Sequence, residues 1–501
     1  MKIYPPTGKG ALHHIDNQML LQSAKKILDK NWTGRFTIPS PVLYPHQWSW
    51  DSGFVAIGNS YFCPERAKTE LDSLFSAQWH NGMVPHIVFN THLSKKKTTY
   101  FPSAEFYDVS ISENAPVKAK TSGITQPPVH AIACYYIWKN SGSEELEFLE
   151  RIYPKVYDFH RYLLTRRDPE RSGLVTIFHP WESGLDNLPV WDKPLSMIRI
   201  PPGSMPEFKR LDIVAVHGAK DTRTDNETYG KLIYLVQLMK EKYCYDEGRM
   251  SREFPFRVKD IVFSSILYVA NCYLLEIARA LKRQRDISII KQWISRTEQN
   301  FFRYFTPTRS LQRIEADDLY DYDLARDDWI RKRTIESLIP IYTQIIPKDR
   351  IGILVRWINH AHYCGAGNCH VPALPSTDLH ESYFRPKNYW RGPVWVNINW
   401  MIYWGLQHYG FSERAEQIRQ AIFELASNHG FREYYNPFTG RGLGGQDFSW
   451  TAALTIDLIM NMNTQTGPAQ AEGVQGHKDK GKGKGKGTEK SERRAGRILA
   501  A

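Results

Sequence analysis

Apolar residues return at helical spacing through most of this chain. Twelve amphipathic stretches can be read, beginning near Asp16, Pro64, Pro127, Glu144, Asn226, Val258, Ile287, Arg331, Lys348, Val394, Ser412 and Ser449. The clearest is Leu232 to Tyr245, with Leu235, Leu238 and Met239 on one face. Phe263 to Leu281 is apolar nearly all round, which predicts an inner helix rather than a surface one. Strand signals are few; Gly173 to Pro180 predicts a short one. The segment Tyr44 to Phe54 reads as extended, with Trp48 and Trp50 on one side and Asp51 after them. The pattern predicts an all-α fold, a toroid of twelve helices in two concentric rings, with long Trp-, Gly- and Pro-bearing loops at one end building a site. No fixed repeat period points to a solenoid.

The pattern stops after Asn463. The remaining segment is Lys- and Gly-rich, nearly without apolar residues, and predicts a disordered tail over 464–501 beside a catalytic domain over 1–463. That tail holds nine Lys or Arg and four Asp or Glu, a net of +5. The whole chain carries +12, so about +7 is spread over the body. Such a surplus is weak support for nucleic acid binding. Six scattered cysteines predict reduced thiols and a cytoplasmic setting. The N-terminus has no apolar signal region, and no run of 18 apolar residues predicts a membrane span. Oligomeric state is not legible.

Aromatics make up 13% of the chain, 15 of them Trp, and they gather around two carboxylates. His179 to Trp191 (HPWESGLDNLPVW) places Asp186 among apolar residues, and Phe431 to Trp450 places Glu433 ahead of a glycine-rich loop. Cleaving a glycosidic bond takes two carboxyl groups facing each other across it, between walls that stack on a sugar. Asp186 is the candidate general acid, its pKa raised by Trp181, Leu185 and Trp191 and by the charge of Glu182, which competes for the same role. Glu433 is the candidate base. Trp48, Trp50 and Asp51 offer an aromatic face with a carboxylate for sugar hydroxyls. Tyr389, Trp390 and Trp395 form a second aromatic group; Arg391 beside them suits a carboxylate in the protein or the substrate. Gln126 and Gln446 are candidate donors. His360 to His370 (HAHYCGAGNCH) resembles zinc-ligand spacing, but no second cluster supports it, and no metal or cofactor is expected in the chemistry. The acidic run Glu315 to Asp328 lacks calcium-loop spacing and reads as solvated surface or a loop near the mouth.

Taken in order, WSWDSGF, HPWESGLDN, YWRGPVWVNINW, EYYNPFTGRGLGG and FSWTAAL resemble glycoside hydrolase family 63, most closely its mannosylglycerate and glucosylglycerate hydrolases, from about 45 to 460. The resemblance implies an (α/α)6 barrel and an inverting mechanism. It implies Asp186 as acid and Glu433 as base, and Asp51 with Trp48 and Trp50 as the sugar holder. Tyr389, Trp390 and Trp395 become site aromatics, Gln126 and Gln446 glutamines near a glycerate, and Tyr44 part of a lid. One departure is Ser49, where an aliphatic residue is expected. Two others are the long polar stretches 91–122 and 194–228, with Lys95 to Pro102 as a possible lid. The substrate implied is a small 2-O-α-glycosylated glycerate. The alternatives are an oligosaccharide α-glucosidase on the same barrel and a non-catalytic sugar-binding protein.

Overall fold

The computed structural model describes residues 16–93, 100–142, 146–214, 222–307, 319–367 and 369–462. The tail from 464 onward, Lys95 to Lys97, and the acidic run up to residue 318 lie outside them.

Six helical elements form a closed circuit. In order around it they are Ser49–Ser60, His130–Asn140, Ile261–Ala280, the 3₁₀ helix Ile335–Thr343, Val396–His408 and Ser449–Met460. Each packs on the next, and the last packs on the first. Their composition explains their place: Ser49–Ser60 and Ile335–Thr343 are buried at every position, and Ile261–Ala280 exposes little more than one narrow edge. An apolar surface on all sides must be covered on all sides. Ile261–Ala280 is the one described helix long and apolar enough to cross a membrane, and 83% of its apolar window is buried inside the protein.

Six further helices back this circuit: Asn17–Asn31, Pro64–Phe75, Glu147–Arg166, Gln284–Phe305, Gly352–Ile358 and Ser412–His429. Here the burial is a single stripe. Gln284–Phe305 buries only Ile290, Trp293, Thr297, Phe301 and Phe305 of its 22 residues. The amphipathic reading of the sequence holds for these elements.

Two parts of that reading are corrected. The Trp48–Asp51 segment is not extended beyond Trp48: Trp50 and Asp51 lie in the first turn of Ser49–Ser60. The sequence hides this helix because SWDSGFVAIGNS has poor intrinsic helix propensity. Its glycines serve packing instead. A Cβ on Gly53 would fall 2.3 Å from Val129, and one on Gly58 would fall 2.6 Å from Ala453, so glycine lets two neighbours come close. Conversely, Asn226–Glu241 is a helix but stands outside the circuit, where it lies against the short turn Ala104–Tyr107.

Three small antiparallel sheets tie the loops together: Gln47–Trp48 with Ile87–Val88; Thr176–Ile177, Val258–Lys259, Tyr322–Asp323 and Asp328–Trp329 in that order; and Arg432–Tyr435 with Gly442–Gln446. The acidic run is therefore not simply solvated surface. Asp323 is buried in the four-stranded sheet, and Asp321, buried just before that strand, accepts a hydrogen bond from the amide of Ile261 at the start of an inner helix, 2.8 Å. The thiols are corrected as well. Cys364 and Cys369 form a disulfide, their Cα atoms 5.5 Å apart. That pair removes the support that unpaired thiols lent to a cytoplasmic setting; Cys63, Cys134, Cys244 and Cys272 are free.

Candidate active site

The loops at one mouth of the helical circuit line a cavity that opens to solvent. Nine of the residues singled out from sequence line it: Tyr44, Trp48, Trp50, Asp51, Gln126, Trp181, Asp186, Tyr389 and Glu433.

Asp186 sits just after the 3₁₀ turn Pro180–Ser183. Gly184, with φ of +79°, reverses the chain there, and a Cβ on it would lie 2.5 Å from the Trp50 ring. Only glycine meets both demands. Burial pushes the Asp186 carboxyl up to about 8. Arg223 opposes that shift, Glu433 adds to it, and a hydrogen bond with Tyr389 opposes it. Glu182 is not a contributor. It is wholly buried and forms a two-pronged pair with Arg167, one arm at 2.9 Å, while accepting from the amides of Thr125 and Phe178. All its acceptor capacity is spent on structure, so it does not compete for the acid's role.

Glu433 lies in the strand Arg432–Tyr435 and is 1% exposed. Its Oε1 accepts from the Tyr44 hydroxyl at 2.7 Å. Its Oε2 accepts from the Gly445 amide at 2.7 Å and from Arg223 Nη2 at 3.2 Å. Gly444, at φ +65°, turns the opposing strand so close that a Cβ there would fall 2.2 Å from Oε2. Asp51 is 4% exposed; burial, then Glu433, holds its carboxyl well above the usual range. The backbone amide of Trp50 donates to Gln126 Oε1 at 3.3 Å, fixing the glutamine over the same turn.

Trp390, Trp395, Gln446 and Arg391 are not in the cavity wall. Trp390 and Trp395 stack face to face behind it, centroids 3.6 Å apart, and Trp395 stacks in turn on Tyr434. They buttress Tyr389, whose carbonyl accepts from the Trp395 indole at 3.2 Å. Gln446, at the end of the strand Gly442–Gln446, is exposed and is not among the residues lining the cavity. Arg391 makes a bidentate pair with Asp192 at 2.8 and 2.7 Å, a structural role.

Sequence reasoning missed Arg223, Asp212, His86, Tyr100, Phe101, Tyr229, Phe448 and Trp450 in the lining. Tyr100 and Phe101 come from the possible lid, and Arg223 and Asp212 from the polar stretch 194–228. Neither stretch has periodicity or a motif to mark it. Arg223 is the most informative: it is 6% exposed, donates to Tyr44 at 3.1 Å, pairs with Glu433 and lies over the Tyr389 ring at 4.4 Å. Asp212 is held by Arg210 at 3.0 and 2.9 Å. His86 is kept neutral by burial, down to about 3.

A carboxyl that holds its proton at neutral pH, in one aromatic cup with a second carboxyl gripped by three donors, is the equipment of a glycoside hydrolase. Comparison with known proteins narrows the class. Residues 44–451 match the family model for the mannosylglycerate hydrolase MGH1-like glycoside hydrolase domain. Mannosylglycerate hydrolase of Rubrobacter radiotolerans is 37% identical, covering 88% of this chain and 97% of that protein. Glucosylglycerate hydrolase of Mycolicibacterium hassiacum is also 37% identical, with the same coverage. The crystal structure of the family 63 mannosylglycerate hydrolase from Thermus thermophilus, in complex with Tris and D-glycerate, superposes with a TM-score of 0.77 at 37% identity, covering 87% of this chain and 99% of that one. The chain belongs to the MGH1-like glycoside hydrolases of family 63.

Among the described residues outside the cavity, two groups bring potential metal ligands together. Asp260, Asp321 and Glu336 are fully buried, and burial raises all three carboxyls, Asp321 to about 7. His362, Asp378 and His380 lie nearer the surface.

Proposed function

We propose that this protein is an inverting α-glycosidase acting on 2-O-α-mannosylglycerate or 2-O-α-glucosylglycerate. The six inner and six outer helical elements are read as an (α/α)6 barrel. Asp186 protonates the glycosidic oxygen as the bond to the anomeric carbon breaks. Glu433 takes a proton from the water that attacks the opposite face. Asp51, Trp48, Trp50 and Gln126 hold the sugar at the closed end of the cavity.

The observation that carries this reading is the raised Asp186 carboxyl, at about 8, in the same cavity as Glu433. A general acid must be protonated at the working pH, and burial beside a second carboxylate achieves that. Arg223 supports a small anionic leaving group. It is a buried guanidinium in the cavity wall, and guanidinium groups suit carboxylates. The glycerate bound in the Thermus thermophilus relative belongs to that ligand class.

The test is a hydrolysis panel of mannosyl- and glucosylglycerate, gluco-oligosaccharides and neutral α-glycosides, with the first product anomer followed by proton NMR. The reading expects glycerate glycosides to be cleaved fastest and the β-anomer to appear first. Release of the α-anomer, or preference for oligosaccharides, overturns it.

A further inference from the structure

The His-rich segment that the sequence suggested for zinc is rearranged in the fold. Cys364 and Cys369 bond to each other, and His370 turns away toward His429, rings 5.6 Å apart. His362 instead meets two residues from a different loop. Its Nδ1 lies 2.7 Å from Asp378 Oδ2, and His380 Nδ1 lies 3.8 Å from Asp378 Oδ1. One ligand atom from each of the three residues lies within 4.8 Å of the others. The two imidazole rings are 4.1 Å apart and tilted toward each other.

We propose that His362, Asp378 and His380 form a binding site for a divalent transition-metal ion of the zinc class. Imidazole nitrogen with carboxylate oxygen is a donor set that suits zinc, nickel and copper rather than magnesium or calcium. Two ligands each ~2.1 Å from one ion lie no more than ~4.2 Å apart. The 2.7 and 3.8 Å separations run to the two different Asp378 oxygens, and the three ligand atoms together span up to 4.8 Å, so the half-exposed His380 side chain closes by a few tenths of an ångström on binding. The positions also fit an entry path. Asp378 is fully buried and fixed, its Oδ1 accepting from the His380 amide at 2.9 Å, while the His380 side chain is half exposed. Arg333 is the competing positive charge, 4.0 Å from Asp378 and 3.9 Å from Glu381. Its guanidinium already lies over the Trp357 ring at 5.6 Å, a place it can keep when an ion takes the carboxylate.

The ion would clamp two loops, and one leads to the catalytic cavity. Two residues before Asp378, Ser376 donates to the Trp390 carbonyl at 2.9 Å and accepts from the Gly392 amide at 2.9 Å. The clamp therefore bears on the segment that presents Tyr389.

The test is calorimetric titration of the chelator-stripped full chain with Zn²⁺, without thiol reductant, together with Cu²⁺ electron paramagnetic resonance. The expected result is one saturable Zn²⁺ per chain and a copper spectrum with two nitrogen couplings. The paired substitution His362→Gln, His380→Gln should weaken Zn²⁺ binding at least ten-fold, while His370→Gln, His429→Gln leaves it unchanged. No saturable one-to-one binding, or full binding by the first pair of substitutions, overturns the proposal. Thermal unfolding of each variant without metal shows whether it is folded; if the His362, His380 pair is misfolded, His380→Gln alone must lower affinity and remove one nitrogen coupling, and failure to do so is equally decisive.

Discussion

Arg223 Nη2 lies 3.2 Å from Glu433 Oε2, and the same positive charge pulls the pKa of Asp186 downward against the effect of burial. One residue thus acts on both members of the carboxyl pair. Replacing it with Gln should lower kcat/KM by about 10-fold or more, because Glu433 loses a charged partner. It should also move the alkaline limb of the pH profile upward, since the residue that holds the Asp186 carboxyl down is gone. An unshifted limb would separate Arg223 from the titration of Asp186.

The wild-type profile has its own sign. Asp186 works as an acid only while protonated, so kcat/KM should fall as pH rises through about 8. Asp186→Asn and Glu433→Gln should each lose at least ~100-fold in kcat, in line with acid–base assistance. Near-normal turnover by either would remove that residue from the mechanism.

Asp186→Asn, which should lose turnover, should gain stability at neutral pH. The Asp186 carboxyl titrates near 8 in the folded state against an ordinary 3.8. Below pH 4 both states hold the proton and the group is neutral in its effect. Between pH 4 and 8 the unfolded chain releases the proton while the folded one keeps it, so the native state loses stability as pH rises. Asp186→Asn lacks this loss. Its unfolding free energy relative to wild type should grow from pH 4 to pH 8, exceeding about 1 kcal/mol at pH 7; a flat difference in denaturant melts would contradict the burial argument.

Gly444→Ala places a methyl group where Glu433 Oε2 stands, on a backbone at φ +65°. The strain should cost about 1–3 kcal/mol in a thermal melt. The displaced carboxylate should cost up to ~100-fold in kcat. Loss of stability with intact turnover would mean that Glu433 tolerates movement.

The sequence and the structure agree where burial alone decides the outcome. Phe263 to Leu281 reads as an inner helix because no face of it is polar, and it is one. Ser49–Ser60 escapes notice because what makes it helical is tertiary: its glycines admit Val129 and Ala453, and no local pattern records that. In the site, Asp186 and Glu433 can be found because aromatic and glycine-bearing motifs surround them. Arg223 cannot, since its neighbours in sequence are polar and aperiodic, and its meaning comes from residues some 180 and 210 positions away. Gln446 is misplaced because a motif in one dimension does not record which way a side chain faces in an irregular hairpin.

The circuit of inner helices is closed by Ser449–Met460 lying against Ser49–Ser60. Tyr44 and Glu433 join hands across that seam. The apolar face of Ser49–Ser60 that meets the later helix is therefore left open until residues 449–460 are in place to cover it. A chain lacking residues 449–460 would keep Asp186 and Glu433 but leave the inner ring open at this seam.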